Sequence, residues 1–381
     1  MNSLKNHFQL DPSVIFLNHG AFGATPKPVF KTYQYWQREL ERQPVEFLGR
    51  RHNALMAESR TALAKVLGTS AENLVYTQNA TISLNIVARS LELGAGDEVL
   101  STDHEYGALD RTWRFLAKEH GFTYINQKIP IPLNSARVFI DSFWRGVTLH
   151  TRVIFLSHIT SPTAIIFPIE EIIQRARAAG IITVVDGAHV PGQIPLDLDA
   201  LGADFYSGNL HKWFMSPKGA GFLYARPEMQ NLLKPLVVSW GYESLTPSNS
   251  RFIDHHEWWG TRDLAAFLSV PAAIEFQEKY NWDKVRDDCH VLARETQGRI
   301  CDLTGLAPLH SGADSWFRQL FTAPLKADTD IVALKECLYD EYRIEVPLID
   351  WNGYKLIRVS IQGYNSQKDV DALLSALREL L

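Results

Sequence analysis

The sequence predicts an α/β fold in which helices sandwich a mostly parallel sheet, with a smaller α+β unit at the C-terminal end. Three observations lead there. Between residues 74 and 225 short apolar runs alternate with amphipathic stretches of about 10–15 residues, the pattern of βαβ units. The runs are almost continuously apolar, as strands covered on both faces are. Polar residues gather where the runs end, at Asn79, His104, Thr160, Asp186 and His211, and open α/β sheets bind ligands outside the carboxyl ends of their strands.

Taken in order, VFKTYQYWQRELERQPVEFL (29–48) and HNALMAESRTALAKVLG (52–68) read as helices, the second closed by Gly68. LVYTQ (74–78) is a short apolar strand running into NATISLNIVARSL, a helical pattern that begins at Asn79, Ala80 and Thr81. A strand over 98–102 precedes a polar turn and a helix that runs to about Gly121. The β-branched run at 153–156 is a strand, IEEIIQRARAAG (169–180) a helix, and IITVVD (181–186) a strand ending on Asp186. GADFYSGNLHKW leads a strand towards Lys212, and GAGFLYAR supplies another. From about residue 270 the texture changes to charged amphipathic helices and shorter strands in WFRQLFTA and KLIRVSI, which marks the smaller domain.

Bulk properties narrow the function. The chain has 381 residues, 46% hydrophobic and 21% charged, enough to bury a large core. A net charge of -5 with interspersed signs argues against a nucleic-acid surface. Three scattered cysteines suit neither a disulfide scaffold nor a thiolate metal site, so no metal and a reducing, cytoplasmic compartment are expected. The N-terminal segment lacks the pattern of a signal peptide, and no apolar run is long enough to span a membrane.

Several residues carry chemistry. Asp186 follows five apolar residues, and a carboxylate emerging from a buried strand needs a partner: it either caps the following turn or pairs with a cationic ring nitrogen. The second reading is what pyridoxal phosphate demands, together with a lysine that forms a Schiff base. Lys212, behind His211 and ahead of two large apolar residues, is the candidate; Lys218 reads as an ordinary turn lysine. Asn79, Ala80 and Thr81 at a helix start either cap it or hold a phosphate, with Ser207 and His211 as further donors.

The run VVDGAHVPGQIPLDLDALGADFYSGNLHKWFMSPKGAGFLY (184–224) resembles the class V aminotransferase family of pyridoxal phosphate enzymes, and within it the isopenicillin N epimerase group. FLNHGAFGATP, DHEYGAL, SHITSPTA, WWGTRDLAAFLSVPAAIEF and IRVS point the same way. The resemblance implies the fold type I architecture: an N-terminal arm (1–19) on the small domain and substrate entrance, a cofactor domain (20–269) and a small domain (270–381). It makes Lys212 the Schiff-base lysine and base, Asp186 the partner of the pyridine nitrogen, and His189 a neighbour of the phenolic oxygen. Tyr106, or alternatively His104, stacks on the ring, and Thr160 joins the cofactor contacts. Asn79, Ala80, Thr81, Ser207 and His211 hold the phosphate, and Thr261 reaches the phosphate of a second subunit in a homodimer with shared sites. Arg358 clamps a substrate carboxylate; Asn18, His19 and Gly20 line the entrance, and Arg262 serves substrate or interface.

The implied partner is a small-molecule amino acid substrate, attacked at its α-carbon. Epimerisation, transamination and β-elimination share these residues, and the sequence does not separate them. Cys289 and Cys337 fall in predicted helices and Cys301 in an unrelated context, which disfavours a persulfide-carrying cysteine but leaves a direct C–S lyase open. A non-catalytic binding protein on the same fold is the competing class, opposed by the presence of Lys212, Asp186 and Arg358.

Overall fold

A computed structural model describes residues 4–311 and 315–381; Met1 to Ser3 of the expected arm and residues 312–314 of the expected small domain lie outside the described residues. In chain order the strands are β1 (Ile15–Phe16), β2 (Leu74–Thr77), β3 (Glu98–Thr102), β4 (Thr123–Gln127), β5 (Thr151–Ser157), β6 (Ile182–Asp186), β7 (Phe205–Asn209), β8 (Gly221–Ala225), β9 (Leu320–Leu325), β10 (Ile344–Glu345), β11 (Leu348–Trp351) and β12 (Tyr354–Ser360). Seven of them form one sheet in the order β2-β8-β7-β6-β5-β3-β4. Strands β3 to β7 run parallel, and β8 is antiparallel to both neighbours. Only residues 210–220 separate β7 from β8, too few for the helical crossover that a parallel neighbour needs.

The central strands are buried along nearly their whole length, which is why their sequences read as solid apolar runs. β4 is different: a half-buried edge strand with polar residues at several positions, it offers no such run, and sequence reasoning passes over it. The helix expected across 29–48 stops at Arg42, because Pro44 cannot donate to a carbonyl one turn back; helical turns resume at Glu46. The helix Ala80–Ser90 starts at the C-terminal end of β2, with Asn79 as its cap: the Asn79 side chain accepts from the Ile82 N–H.

A second sheet, β11-β12-β9, is antiparallel and carries Arg358 opposite Thr322. Its core joins Phe321, Ala323, Ile357 and Val359 to Leu17 of the N-terminal segment. The same segment pairs through β1 with β10, Ile15 opposite Ile344. Among the described residues no helix is long and apolar enough to cross a membrane.

The N-terminal segment turns sharply after Phe22. Gly23 has φ +69°, and a Cβ there would come 1.9 Å from the carbonyl oxygen of His211. That approach brings the segment against the backbone of the Lys212 turn, where Lys218 Nζ also donates to the Gly23 carbonyl at 3.0 Å. Lys218 is thus the turn lysine that the sequence suggests. Gly23→Ala is expected to lower stability by at least about 2 kcal/mol, from backbone strain and the clash together. An unchanged denaturant midpoint would contradict the packing of this turn.

Candidate active site

A cavity of about 270 Å³ opens at the carboxyl end of the large sheet. Its wall is assembled from strand ends: Asn79, Ala80 and Thr81 after β2, Tyr106 after β3, Ser157 closing β5, Asp186 closing β6 with Ala188 and His189 beyond it, and Asn209, His211 and Lys212 at the end of β7. Ala21 and Phe22 close the side nearest the N-terminal segment. Four larger cavities, of about 470 to 550 Å³, exist elsewhere; among the described residues three have no lysine on the wall, and the fourth has Lys335, an exposed lysine among Glu336, Asp340 and Glu345. Chemistry therefore selects the smaller one, which still approaches the lower bound of about 300 Å³ for small-molecule sites.

One end of the cavity suits an anion. The Ala80 N–H donates to Asn209 Oδ1 at 2.9 Å and the Ile82 N–H to Asn79 Oδ1 at 3.0 Å, which fixes the first helical turn. Among the described residues neither the N–H nor the hydroxyl of Thr81 has a hydrogen-bond partner. Free donors at the positive end of a helix dipole are an anion site in waiting. His211 stands beside them; its Nδ1 lies 3.2 Å from the Ala220 carbonyl, and burial with the nearby Lys212 charge lowers its pKa to about 4.

The other end holds the reactive groups. Burial lowers the Lys212 amine from its usual range to about 7, Asp186 pulling it up and Arg358 pushing it further down. Lys212 Nζ lies 3.1 Å from His189 Nε2, and the indole N–H of Trp213 points at His189 Nδ1 from 3.4 Å. Asp186 is 3% exposed; its Oδ1 accepts the Ala188 N–H at 2.8 Å, and burial raises its pKa. A carboxyl so raised needs a cation to hold its charge, since one backbone donor does not replace water.

Arg358 stands behind the wall. Its Nη1 donates to the carbonyl of Ser161 at 2.6 Å and to its hydroxyl at 3.2 Å. Nε is buried with no hydrogen-bond partner, and among the described residues no carboxylate pairs with this guanidinium. Burial alone depresses it to about 10. An arginine buried without a counter-ion is poised for an anion from outside the chain.

Not every expected residue lines the cavity. Tyr106 does, with 44% of its surface exposed, whereas His104 is fully buried, bonded through Nδ1 to Thr163 at 2.8 Å and packed on Trp351. Thr160 is tied into a turn with Thr163 and Ile165. Ser207 donates to the Phe222 carbonyl at 2.7 Å, and Asn209, two residues on and unforeseen from sequence, is the β7 residue on the wall. Asn18, His19 and Gly20 lie one layer back: Asn18 donates to Glu345, Gly20 N–H to Ser360, and His19 bridges the Tyr364 hydroxyl and the Lys212 carbonyl at 3.0 Å each. Thr261 is exposed and Arg262 sits against Trp259 and Phe267, both outside this cavity.

Sequence reasoning also passes over Glu105, which looks like a surface acid in a polar turn. It is buried, accepting from Thr102 at 2.6 Å and from both the N–H and hydroxyl of Ser157 at 2.9 and 2.6 Å. Burial, with a smaller push from Asp186, lifts it to about 8. The signal for Ser157 was present, since it ends its strand as Asp186 does and is in register with it.

Pyridoxal phosphate asks for a lysine that can be neutral, an acid for the ring nitrogen, a face for the ring and donors for the phosphate. Lys212, Asp186, Tyr106 and the bare Thr81 donors occupy one cavity, so the residues present fit the group. No cysteine lines it; burial pushes Cys289 up to about 12 and Cys301 to about 11, and all three cysteines are free thiols.

The family model described as Aminotransferase class-V matches residues 15–373. An isopenicillin N epimerase of Amycolatopsis lactamdurans is 36% identical across 99% of this chain and 97% of its own. A probable chloroplastic L-cysteine desulfhydrase of Arabidopsis thaliana is 27% identical, over 97% of this chain and 84% of its own. Among solved structures, a C-DES variant with glycine covalently linked to its PLP cofactor superposes with a TM-score of 0.84 at 22% identity, covering 99% of each chain. At that identity the likeness is one of fold.

Proposed function

The chain belongs to the class-V aminotransferase family, and from that premise we propose a pyridoxal phosphate enzyme of the isopenicillin N epimerase kind, which removes and returns the α-proton of an amino acid. One observation carries the reading: a buried lysine amine lowered to about 7 shares a cavity of about 270 Å³ with a buried acid and the bare N-terminus of a helix.

When bound, the cofactor withdraws electrons from the substrate's α-carbon and makes its proton removable. Lys212 holds the cofactor and, as a neutral amine near pH 7, serves as the base that takes the proton. Asp186 keeps a proton on the ring nitrogen by offering it a buried carboxylate. His189 offers a donor to the phenolic oxygen, and Tyr106 covers the ring. Thr81 N–H and hydroxyl take the phosphate with Asn79 and Ala80; a phosphate beside His211 also favours that ring's protonated form. Thr160 and Ser207 support these groups from behind. Arg358 binds the substrate carboxylate.

The reading includes a homodimer. Val238, Trp240 and Leu245 are 66%, 83% and 98% exposed, and Phe22 at the cavity rim is 72% exposed, which suits a second copy covering them. Thr261 and Arg262 would then serve the neighbouring site. We further read residues 1–19 as an arm on a small domain of 270–381, with 20–269 as the cofactor domain, on the strength of the β1–β10 pairing and the separate core around Leu17. Free thiols suit a reducing, cytoplasmic compartment.

A second reading, a C–S or β-lyase acting without a catalytic cysteine, is favoured by the desulfhydrase relative and by the absence of any cysteine on the wall. Two measurements separate the outcomes. Borohydride should abolish a visible band of the purified protein and leave the pyridoxyl mass on Lys212. Amino acids in heavy water should then exchange the α-proton without releasing ammonia; ammonia and a keto acid would favour the lyase, and a protein with no band even after added pyridoxal phosphate would end both readings.

A further inference from the structure

We infer that the indole N–H of Trp213 is a positioning group that fixes His189 as the Nε2–H tautomer and so makes Lys212 Nζ the acceptor in the bond between them. The inference deepens the reading of Lys212 as an amine that must be neutral, and rests on it.

The argument is one of donors and acceptors. An indole nitrogen only donates, so in the 3.4 Å contact from Trp213 Nε1 to His189 Nδ1 the histidine nitrogen must accept. A neutral imidazole has one N–H, and it is therefore on Nε2. That nitrogen lies 3.1 Å from Lys212 Nζ, and an ammonium there would set two donors against each other. The contact is satisfied only when the amine is neutral and offers its lone pair. Trp213 is 0% and His189 3% exposed, so neither readily exchanges its partner for solvent, while Lys212 is part-buried at the cavity wall.

The imidazolium form is disfavoured independently, because burial, and after it the Arg358 charge, lowers the His189 pKa. Facing Lys212 itself, Asp186 favours the ammonium and Arg358 opposes it. The tautomer lock adds to the Arg358 side. It also settles what His189 presents to a bound cofactor, namely an N–H suited to an anionic phenolic oxygen. Sequence position explains the coupling: Trp213 follows Lys212 directly, so the turn that delivers the amine into the cavity delivers the indole behind His189.

Tautomers can be read without turnover. In full-length protein labelled with nitrogen-15 in its histidine rings, the His189 signals, assigned by their loss in His189→Gln, should show a proton on Nε2 and a bare Nδ1. A proton on Nδ1 would overturn the inference, and this reading of the unaltered protein does not depend on any variant folding. Trp213→Phe keeps an aromatic ring and deletes the donor, with a smaller side chain at this fully buried position. It should let the Nδ1–H tautomer appear, the preference falling by on the order of tenfold, the weight of one mismatched buried donor. The Lys212 pKa, followed by trace acetylation and peptide mapping of cofactor-free full chain, should rise by roughly one unit in that variant. An unchanged tautomer ratio in a folded Trp213→Phe protein would remove the indole from this role. Loss of the visible cofactor band in the unaltered protein would instead overturn the reading of Lys212, with the tautomer measurement still standing.

Discussion

Lys212→Ala is expected to abolish the borohydride-trapped pyridoxyl adduct and to slow α-proton exchange by at least about ten-thousandfold, the upper range for loss of a positioned base. Two functions disappear together. Among the described residues the side chain supplies the only lysine amine on the cavity wall, so no neighbour there takes its place as covalent anchor. It also supplies an amine lowered to about 7, whereas an exposed lysine near its usual value holds its proton at neutral pH. The sign of the pH effect follows. Raising pH through about 7 turns the buried ammonium of the cofactor-free protein into an amine, so trace acetylation of Lys212 should reach half its limiting rate there, roughly three units below a solvated lysine. Acetylation that tracks the surface lysines would show that burial does not depress this group. The cavity should survive the substitution, because Asn209, Asn79 and the Ala80 N–H remain bonded to one another or to the first helical turn.

Much of this site is legible in the sequence because strand ends are. A solid apolar run that stops at a carboxylate marks Asp186, and the Asn-Ala-Thr at a helix start marks a cap or an anion site, of which the Asn79 cap is what the structure shows. Lys212 takes its meaning from the family resemblance more than from its own surroundings. What stays hidden depends on contacts between distant segments. Glu105 looks like any turn acid until Ser157, on another strand, closes over it. His19 sits in a motif that suggests an entrance, yet its ring braces the Lys212 backbone against Tyr364. Trp213 reads as a core residue, and it is one; its single polar atom acquires a role only because His189 arrives from a different strand end. β4 is missed for another reason. It lies at the edge of the sheet, half its surface is wet, and no long apolar run is needed there.

Arg358→Ala should leave the cofactor band and its borohydride trapping intact while lowering kcat/KM for α-amino acids by about a hundredfold to a thousandfold, mostly through KM. The guanidinium has two anchors on Ser161, an idle buried Nε and no acidic partner among the described residues. A substrate carboxylate would complete it, and a charged hydrogen-bonded pair lost from such a place costs about 2–5 kcal/mol. Arg358→Lys should recover little, since one ammonium cannot reproduce a planar fork. Stability separates this role from a structural one. A cation that is depressed to about 10 by burial alone, with no counter-ion in reach, costs the folded state something to hold, so the alanine variant should melt no lower than the parent and possess equal or greater resistance to denaturant. A large fall in stability with unchanged KM would make Arg358 a strut of the β9–β12 sheet. Unchanged stability with a raised KM for carboxylate-bearing amines, and no change for the corresponding simple amines, would make it the anchor for the substrate's acid group.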